Sequence, residues 1–466
     1  MTADASSRQH SLPRAGLAWA IYEGGRTPYV ILVMIYVFTP YVVTTMIGDP
    51  VRGQEIVSRW SQYAGWIIML AAPVIGTSID RIGRRKPALM AMFLLLVPLM
   101  ASLWWARADG TGLSVQTTMV ILTANVILLT LSELLHNSLL VRAAGRESAH
   151  IASSLGLSFG AFFALSALVL VALAFALPGK VDWSFVPARP LFGVDVALHQ
   201  PERIVGPIAA VILILCAIPF FAFAPDAAPT KTSLPAALRS GATDLVKLVA
   251  TLRGHREAAT FLLSRMFFYD GMNAIVIYMG VFAGGVMRWG ALEMLIYGVL
   301  LTLFAVIGGL MASRLDARYG PKRALQIEIG MTFLGLIAEL GMSPDRILYW
   351  WIRPSPGAWR VWEGPVFRSL PELVFVVIGL FIAAFVTAHY ASSRTMMTRV
   401  SPPDRMGSFF GIYALSGTAT SWLAPTFVTL GTAYFHSQQG GLATLTLLLA
   451  VGLVGLTFVR EPGTRK

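Results

Sequence analysis

Long apolar stretches recur along the whole chain, and they limit the folds that it can adopt. A helix needs about 20 residues to cross the hydrocarbon core of a bilayer, and twelve stretches come near or exceed that length. Backbone groups in lipid must be paired inside the segment, and these runs are too long and too uniformly apolar for barrel strands. We therefore predict an all-α membrane protein with twelve transmembrane helices. The predicted spans lie near residues 17–47, 57–79, 87–106, 114–140, 150–177, 204–224, 260–284, 290–313, 324–342, 371–393, 407–435 and 440–459.

The composition agrees with a membrane solvent and excludes a soluble domain of this length. Hydrophobic residues make up 56% of the 466 residues, and charged residues only 13%. Most Lys and Arg residues lie in the tails and in the connections that follow even-numbered spans, which predicts that both termini are cytoplasmic. The net charge of +12 therefore reports topology, so that a nucleic-acid partner is not expected. We expect a multi-pass protein of the cell inner membrane.

Several chemical classes find no support in the sequence. Residues 1–14 are polar, and the apolar run after them is too long for a signal peptide, so the first helix should be retained. The single cysteine, Cys216, excludes an intramolecular disulfide, and no His/Cys cluster has metal-ligand spacing. The one Gly-Lys pair, at 179–180, is followed by Val181, so no phosphate loop is present. We expect no metal, no cofactor, no ATP-driven step and no enzyme activity.

A short charged motif occurs twice, about half a chain apart, at a predicted membrane exit each time. An acid beside a basic run can pair across helices in one conformation and separate in the other. Ordinary positive charge at the inner face is the alternative, but that charge needs neither an aspartate nor glycines. Two copies predict two related halves that move against each other. The predicted gating residues are Gly76, Asp80, Arg81, Gly83, Arg84, Arg85, Asp316, Arg318, Gly320, Lys322 and Arg323.

The repeat divides the chain into three predicted parts. Residues 1–224 form an N-terminal six-helix bundle, residues 225–258 a cytoplasmic linker, and residues 259–466 a C-terminal six-helix bundle. Apolar residues recur at helical spacing in the linker opposite basic ones, which predicts an amphipathic helix on anionic lipid headgroups. Two outer connections, 178–203 and 343–371, are rich in proline and tryptophan. We expect them to lie at the membrane surface, and a substrate lid is the alternative.

Ionisable groups inside spans are expensive and are candidates for function. The segments Tyr22-Glu23-Gly24 and Tyr269-Asp270-Gly271 occupy equivalent places in the two halves, which indicates a repeated working site. Glu23 lies three residues before Arg26, so the two are expected to form a pair of opposite charges suited to a zwitterion. Asp270 has no basic residue one helical turn further on. We expect Asp270 to carry protons, since apolar surroundings favour an uncharged carboxyl group.

Other polar groups complete the predicted pathway. Glu133 and His136 share a helix face, so they could exchange a proton or hold a solute, and a purely structural pair stays equally open. Arg265 and Arg394 lie near the inner ends of their spans and are expected only to extend towards the membrane surface. The predicted substrate or proton pathway comprises Tyr22, Glu23, Arg26, Glu133, His136, Asn137, Tyr269, Asp270, Asn273, His389 and Tyr390.

The run 76–86 resembles the signature between helices 2 and 3 of the major facilitator superfamily. Further stretches resemble one branch of it, the bacterial permeases related to the fungal vacuolar amino-acid effluxer of autophagy. These stretches are 19–24, 136–140, 154–160, 268–271 and 409–417. The resemblance implies two six-helix bundles around a cavity formed mainly by helices 1, 4, 7 and 10, which opens alternately to each side. The chain departs from the branch at Glu23 and Arg26, where Asp and Asn are usual, and at Ala317, where the second signature usually has Asp.

Together these patterns predict a secondary active transporter for a small polar or zwitterionic, amino-acid-like solute. We expect a monomer coupled to protons, with the solute, protons and membrane lipid as its partners. A multidrug or metabolite efflux antiporter is the alternative within the same class. The fifth span lacks the Gly-Pro and Gly-Gly pattern of the drug antiporters, which disfavours multidrug efflux. A channel or a non-transporting membrane enzyme is the weaker alternative from another class.

Overall fold

The computed structural model describes residues 12–145, 147–230, 232, 234–352, 359–402 and 405–460, and helices dominate them. The helices are α1 (Arg14–Met46), α2 (Pro50–Ile82), α3 (Lys86–Trp105), α4 (Val115–Asn137), α5 (Ile151–Ala176), α6 (Gln200–Phe223), α7 (Leu234–Ala250), α8 (Arg256–Val286), α9 (Ala291–Tyr319), α10 (Pro321–Leu340), α11 (Leu370–Val400), α12 (Met406–Ala419), α13 (Leu423–Phe435) and α14 (Gln438–Thr457). A short helix, Leu140–Ala144, follows α4.

Within the described parts of the chain, nine helices are long and apolar enough to cross a membrane. They are α1, α3, α4, α5, α6, α8, α9, α11 and α14. The prediction of a helical, multi-pass membrane protein is thus confirmed. Helix α2 begins at Pro50, earlier than the predicted residue 57. The reason is local, because the Asp49 carboxylate accepts hydrogen bonds from the backbone N–H groups of Val51 and Arg52 and so caps the first turn.

The prediction of one helix across 407–435 is wrong. Helix α12 ends at Ala419, and α13 begins at Leu423. The backbone N–H of Ala424, in the first turn of α13, donates to the Asp270 carboxylate at 2.6 Å. A helix N-terminus has backbone N–H groups without intrahelical acceptors, and this carboxylate satisfies one of them in the bundle interior.

A two-stranded hairpin interrupts the helical pattern between α10 and α11. Strands β1 (Arg346–Ile347) and β2 (Trp351–Ile352) are antiparallel. The all-α prediction did not include this element, because a strand pair of two residues each leaves no alternation to detect. The side chains of Trp350 and Trp351 are largely exposed, as aromatic residues at a membrane surface would be.

Besides the contacts of α5 with α9 and of α1 with α8, the two halves of the bundle meet along α2, α13 and the start of α14. Several side-chain hydrogen bonds between residues before α7 and residues after it lie along this line, which we call the α2–α13 seam. Its hydrogen bonds are Gln54 to Thr432 (2.8 Å), Gln54 to the carbonyl of Gln438 (3.1 Å), Thr429 to Ser58 (2.8 Å), Gln62 to Thr426 (2.7 Å) and Ser421 to the carbonyl of Gly65 (3.3 Å).

The seam lies at the end of the bundle that carries the starts of α2 and α14, which we call the loop face. The opposite end, the linker face, carries α7. Arg81, in the last turn of α2, forms an ion pair with Asp244 of α7 at 2.6 Å. The Thr77 hydroxyl donates to the carbonyl of Gly241 at 2.8 Å. One side of α7 is therefore packed on protein, while Val246 and Val249 stay exposed on another side.

Candidate functional site

A buried arginine joins α1 to α4 in the N-terminal half. Arg26 is only 7% exposed. Its Nη1 donates to the Glu23 carboxylate at 3.1 Å, while its Nη2 donates to the carbonyl of Leu129 at 2.7 Å and to the Glu133 carboxylate at 3.3 Å. Two carboxylates on different helices thus compensate one guanidinium. We call Glu23, Arg26, Glu133 and His136 the Arg26 cluster.

His136 contributes a buried ring to this cluster. Its Nε2 lies 3.5 Å from the Glu23 carboxylate. The Trp19 ring stacks on the imidazole with centroids 4.5 Å apart, and the Tyr22 and Phe220 rings lie at 4.9 and 5.0 Å. The Trp19 indole N–H also donates to the carbonyl of His136 at 2.9 Å. These contacts fix the ring beside Glu23.

The cluster opens on one side only. The Glu133 side chain is 49% exposed, and Asn137, one helical turn further on, is exposed on the same side. A carboxylate that faced lipid would be costly, so we expect this side of the cluster to face away from lipid. The spacing in the sequence suggested that Glu133 pairs with His136. In the structure Glu133 pairs with Arg26, and His136 lies beside Glu23, because the rotation of α4 against α1 decides the partners.

Glycines on α5 make room for the cluster. A Cβ added to Gly156 would lie 3.1 Å from Cγ of Glu23, and one added to Gly24 would lie 2.5 Å from Cβ of Phe159. Small residues let helices approach closely in membranes. These glycines therefore pack α5 on α1 within one half.

A second buried arginine occupies the C-terminal half. Arg265 is 3% exposed, and its Nη1 donates to the carbonyl of Tyr413 at 2.9 Å and to the Ser416 hydroxyl at 2.6 Å. Its guanidinium packs against two rings, 4.1 Å from the centroid of Tyr269 and 3.8 Å from that of Tyr413. The prediction that Arg265 only extends towards the membrane surface is wrong, because α12 supplies partners inside the bundle. Sequence reasoning missed Arg265, Tyr413 and Ser416 as site residues.

Four predicted pathway residues gather beside Arg265. The Tyr390 hydroxyl donates to the Asn273 amide oxygen. The Tyr269 and Tyr390 rings meet edge to face at 5.7 Å, and the fully buried His389 ring lies 4.1 Å from Tyr390. Nδ1 of His389 contacts the carbonyl of Val386. Tyr269, Asn273 and Tyr390 are partly exposed, so they form a polar edge to the Arg265 site.

Asp270 lies apart from this group. It is 5% exposed, and its carboxylate faces the break between α12 and α13, where it accepts from the backbone of Ala424. Helix α13 carries the seam residues Thr426 and Thr429. A change at Asp270 would therefore act on the helix that joins the two halves, and no sequence spacing could have revealed this contact.

The first charged motif is tied to the linker. Arg81 pairs with Asp244, and the Arg81 carbonyl accepts from the Thr230 hydroxyl at 2.8 Å. The side chain of Asp80 lies outside the described residues. Gly83 has φ +74°, a left-handed conformation that favours glycine. A Cβ on Gly76 would meet only Leu415 of the other half, at 3.9 Å.

A linker carboxylate completes this motif. Oδ1 of Asp226 accepts from the backbone N–H groups of Arg85 and Lys86, at 2.8 and 3.2 Å, where α3 begins. The guanidinium of Arg85 donates to the carbonyl of Ser138 at 2.8 Å, whereas Arg84 is exposed. The linker thus places a carboxylate at the N-terminus of α3, where the helix dipole favours a negative charge.

The second charged motif has fewer contacts with other elements. Lys322 donates to the carbonyl of Thr457 at 3.1 Å, and the Arg318 guanidinium lies 5.3 Å from the neighbouring Tyr319 ring. Gly320, at φ +78°, makes the turn into α10. Asp316 is partly buried, and Arg323 is exposed. Thr457 belongs to α14, so this motif stays within its own half.

Two chemical alternatives can be tested against the geometry. The run 156–160 has the Gly-x-Ser-x-Gly spacing of a nucleophile elbow, which requires a sharp turn from strand to helix. It lies inside α5, where the Ser158 hydroxyl donates to the carbonyl of Ser154 at 3.0 Å, so it is not an elbow. No group of three or more His, Cys, Asp or Glu side chains in the described residues could hold a metal ion.

Comparisons of the sequence identify relatives. The family described as "Vacuole effluxer Atg22 like" matches residues 143–466, which is more than half of the chain. Autophagy-related protein 22 of Cryptococcus neoformans is 22% identical over 305 residues, which are 64% of this chain and 48% of that protein. An uncharacterised MFS-type transporter of Bacillus subtilis, YxiO, is 20% identical over 210 residues, 45% of this chain and 42% of the relative. The chain thus spans about half the length of the curated relatives that it matches.

Solved structures share the fold. The xylose transporter XylE from E. coli, in an inward open conformation, aligns with a TM-score of 0.57 and 15% identity over 97% of this chain and 96% of its own. The nucleoside transporter NupG aligns with a TM-score of 0.60 and 10% identity over 95% of this chain and 97% of its own. A POT family transporter with a bound conjugated peptide aligns with a TM-score of 0.61 and 14% identity over 95% of both chains. These relatives and neighbours are transporters, not enzymes.

Proposed function

The chain belongs to the family of Atg22-like vacuole effluxers, and on this basis we propose that it transports a small polar or zwitterionic, amino-acid-like solute by alternating access. It works as a secondary active transporter in the cell inner membrane, with both termini in the cytoplasm. The observation that carries the proposal is the Arg26 cluster. Three buried or half-buried charges meet inside the bundle, and the exposed Glu133 opens them to a polar space.

The architecture supports this mechanism. The nine apolar helices together with α2, α10 and the broken pair α12–α13 make up twelve spans, six on either side of the linker α7. The proposal keeps the division at residues 1–224, 225–258 and 259–466. The α2–α13 seam joins the halves at the loop face, so we interpret this arrangement as open towards the linker face. The transporter acts as a monomer, with α7 and the exposed Val246 and Val249 against membrane lipid.

Protons provide the driving force in this proposal. Asp270 is buried, faces the broken helix, and caps α13 through Ala424. Protonation removes the negative charge that stabilises the N-terminus of α13, and α13 carries half of the seam. Proton binding would therefore weaken the arrangement in which the halves meet at the loop face. Glu23 with His136 is the second place where a proton could be held, since the two groups lie 3.5 Å apart.

The charged motifs serve as gates in this proposal. Arg81 with Asp244, and Asp226 at the start of α3, hold the linker against the N-terminal half. These contacts lie at the linker face, where the halves must approach when the transporter closes towards the cytoplasm. The gating residues of the first motif would then exchange linker partners for partners on the other half.

A transport assay with purified protein tests the proposal. Proteoliposomes that contain the full chain should accumulate labelled amino acids when a pH gradient is imposed, and an ionophore that collapses the gradient should abolish accumulation. Glu23→Gln should weaken solute binding itself, because it removes a partner of Arg26 and His136. Glu363→Gln is the matched control, since this exposed loop carboxylate pairs only with Arg360 in the described residues.

Two results would contradict the proposal. Wild-type liposomes that take up none of the amino acids would exclude an amino-acid-like solute, and a thermal-shift screen of metabolites would then identify the true class. Uptake without saturation or countertransport would indicate a channel. Labelling with an impermeant thiol reagent in a Cys216→Ala background tests the orientation, because cysteines in 343–371 should react from outside and cysteines in 225–258 should not.

A further inference from the structure

The two buried arginines have opposite charge environments. Arg26 has carboxylates at 3.1 and 3.3 Å, from Glu23 and Glu133. Arg265 is more deeply buried, yet it forms no ion pair with any carboxylate in the described part of the chain. Asp270, five positions further on, binds Ala424 instead. A buried cation without a counter-ion is costly, and inside a membrane it is a candidate for ligand binding.

The hydrogen bonds of Arg265 leave part of its donor capacity unused. A guanidinium has five N–H donors in one plane. Nη1 binds Tyr413 and Ser416, whereas Nε has no partner among the described residues. The Cζ atom of Arg265 lies 4.1 and 3.8 Å from the ring centroids of Tyr269 and Tyr413. The two rings stabilise the positive charge, but they do not accept hydrogen bonds from the N–H groups at the edge of the guanidinium plane. A carboxylate matches that edge in shape and charge.

The charges of the two clusters complement each other. The Arg26 cluster holds two carboxylates and one guanidinium, so it favours a cation. The Arg265 site has a guanidinium and no carboxylate, so it favours an anion. We propose that Arg265 binds the carboxylate of the solute and that Glu23 and Glu133 bind its ammonium group. This inference rests on the proposed function and names the side chains that hold the two charged ends of the zwitterionic solute.

The proposal gives the solute a role in the conformational change. The ammonium site is built from α1 and α4, and the carboxylate site from α8 and α12. A solute that carries both charges can contact both halves at once, whereas a solute with one charge contacts only one half. Tyr269, Asn273 and Tyr390 contact one another beside Arg265 and are partly exposed, so in this proposal they contact the middle of the solute.

Competition in proteoliposomes tests the assignment. The competitors are the unlabelled L-amino acids, their carboxamides, which lack the anion, and their N-acetyl derivatives, which lack the cation. For wild type, both derivatives should compete at least about tenfold more weakly than the parent amino acid, since a hydrogen-bonded charge pair is lost in each. Arg265→Gln should erase the preference for the acid over the amide and keep the preference over the N-acetyl form. Glu133→Gln should show the opposite pattern.

Arg265→Lys is the control for loss of folding, because lysine keeps the positive charge but lacks the planar set of guanidinium donors. It should bind the parent amino acid more weakly than wild type and retain only part of the preference for the acid. If folded Arg265→Gln and Arg265→Lys both keep the full wild-type preference for the acid, the assignment is wrong while the transport proposal stands. If wild type takes up no amino acid, amide or N-acetyl derivative, the proposed function fails and this assignment with it.

Discussion

Gln54 offers the sharpest test of how the two halves are held together. It is fully buried, and its side-chain N–H group donates to Thr432 at 2.8 Å and to the carbonyl of Gln438 at 3.1 Å across the seam. Gln54→Met keeps the shape and removes both hydrogen bonds. Each is worth about 0.5–1.5 kcal/mol, so the arrangement that closes the loop face should lose about 1–3 kcal/mol.

The lower part of that range is expected. Oε1 of Gln54 has no partner in the described residues, so removal of the amide also relieves an unsatisfied acceptor. A loss of about 1–2 kcal/mol changes an equilibrium constant about 5- to 30-fold. A conformation that lacks these hydrogen bonds is not affected, so its population relative to the arrangement described here should rise by that factor.

Distances between spin labels measure this shift. Cysteines at Arg52 and Phe435, in a Cys216→Ala background, report on the two sides of the seam, and both positions are exposed. Pulsed electron paramagnetic resonance should show a larger long-distance population in Gln54→Met than in wild type. Thr302→Val is the control, because that hydroxyl binds the carbonyl of Gly298 in its own helix. An unchanged distance distribution in Gln54→Met would refute the role of the seam.

Three further predictions concern the gate, the proton and the packing. Asp80→Asn should nearly abolish transport while solute binding survives, and Asp316→Asn should reduce transport less. Normal transport by Asp80→Asn would exclude the gating role. Asp270→Asn should lose accumulation driven by a pH gradient yet keep solute exchange, so gradient-driven accumulation by this variant would end the proton assignment. Gly24→Ala should lower the stability by about 1–3 kcal/mol in thermal unfolding, because the added Cβ would lie 2.5 Å from a side-chain carbon of α5. Gly330→Ala, where a Cβ would meet nothing within 4 Å, is its control, and equal stability of the two variants would contradict the packing argument.

Local patterns carried the predictions that the structure and the relatives confirm. Hydrophobic runs of spanning length are a property of consecutive residues, so the helices and their order could be predicted. The pair of Glu23 and Arg26 could be predicted for the same reason, because residues three apart on one helix share a face. The motif at 76–86 and the stretches at 19–24 and 409–417 likewise pointed to the superfamily and to the Atg22-like branch, since family signatures are also local.

Contacts between helices could not be predicted in this way. Arg26 meets Glu133 and Asp270 meets Ala424 across more than 100 residues, and only the rotation and depth of each helix decide such partners. Arg265 shows the limit most clearly. Its position along α8 suggested a side chain that extends to the membrane surface, but its neighbours Tyr413 and Ser416 come from a different helix and hold it inside the bundle. The sequence by itself determined which segments enter the membrane and which charges enter with them, because transfer from water to lipid depends on composition. Tertiary structure alone decided which of these charges are compensated by neighbouring carboxylates, because compensation depends on packing.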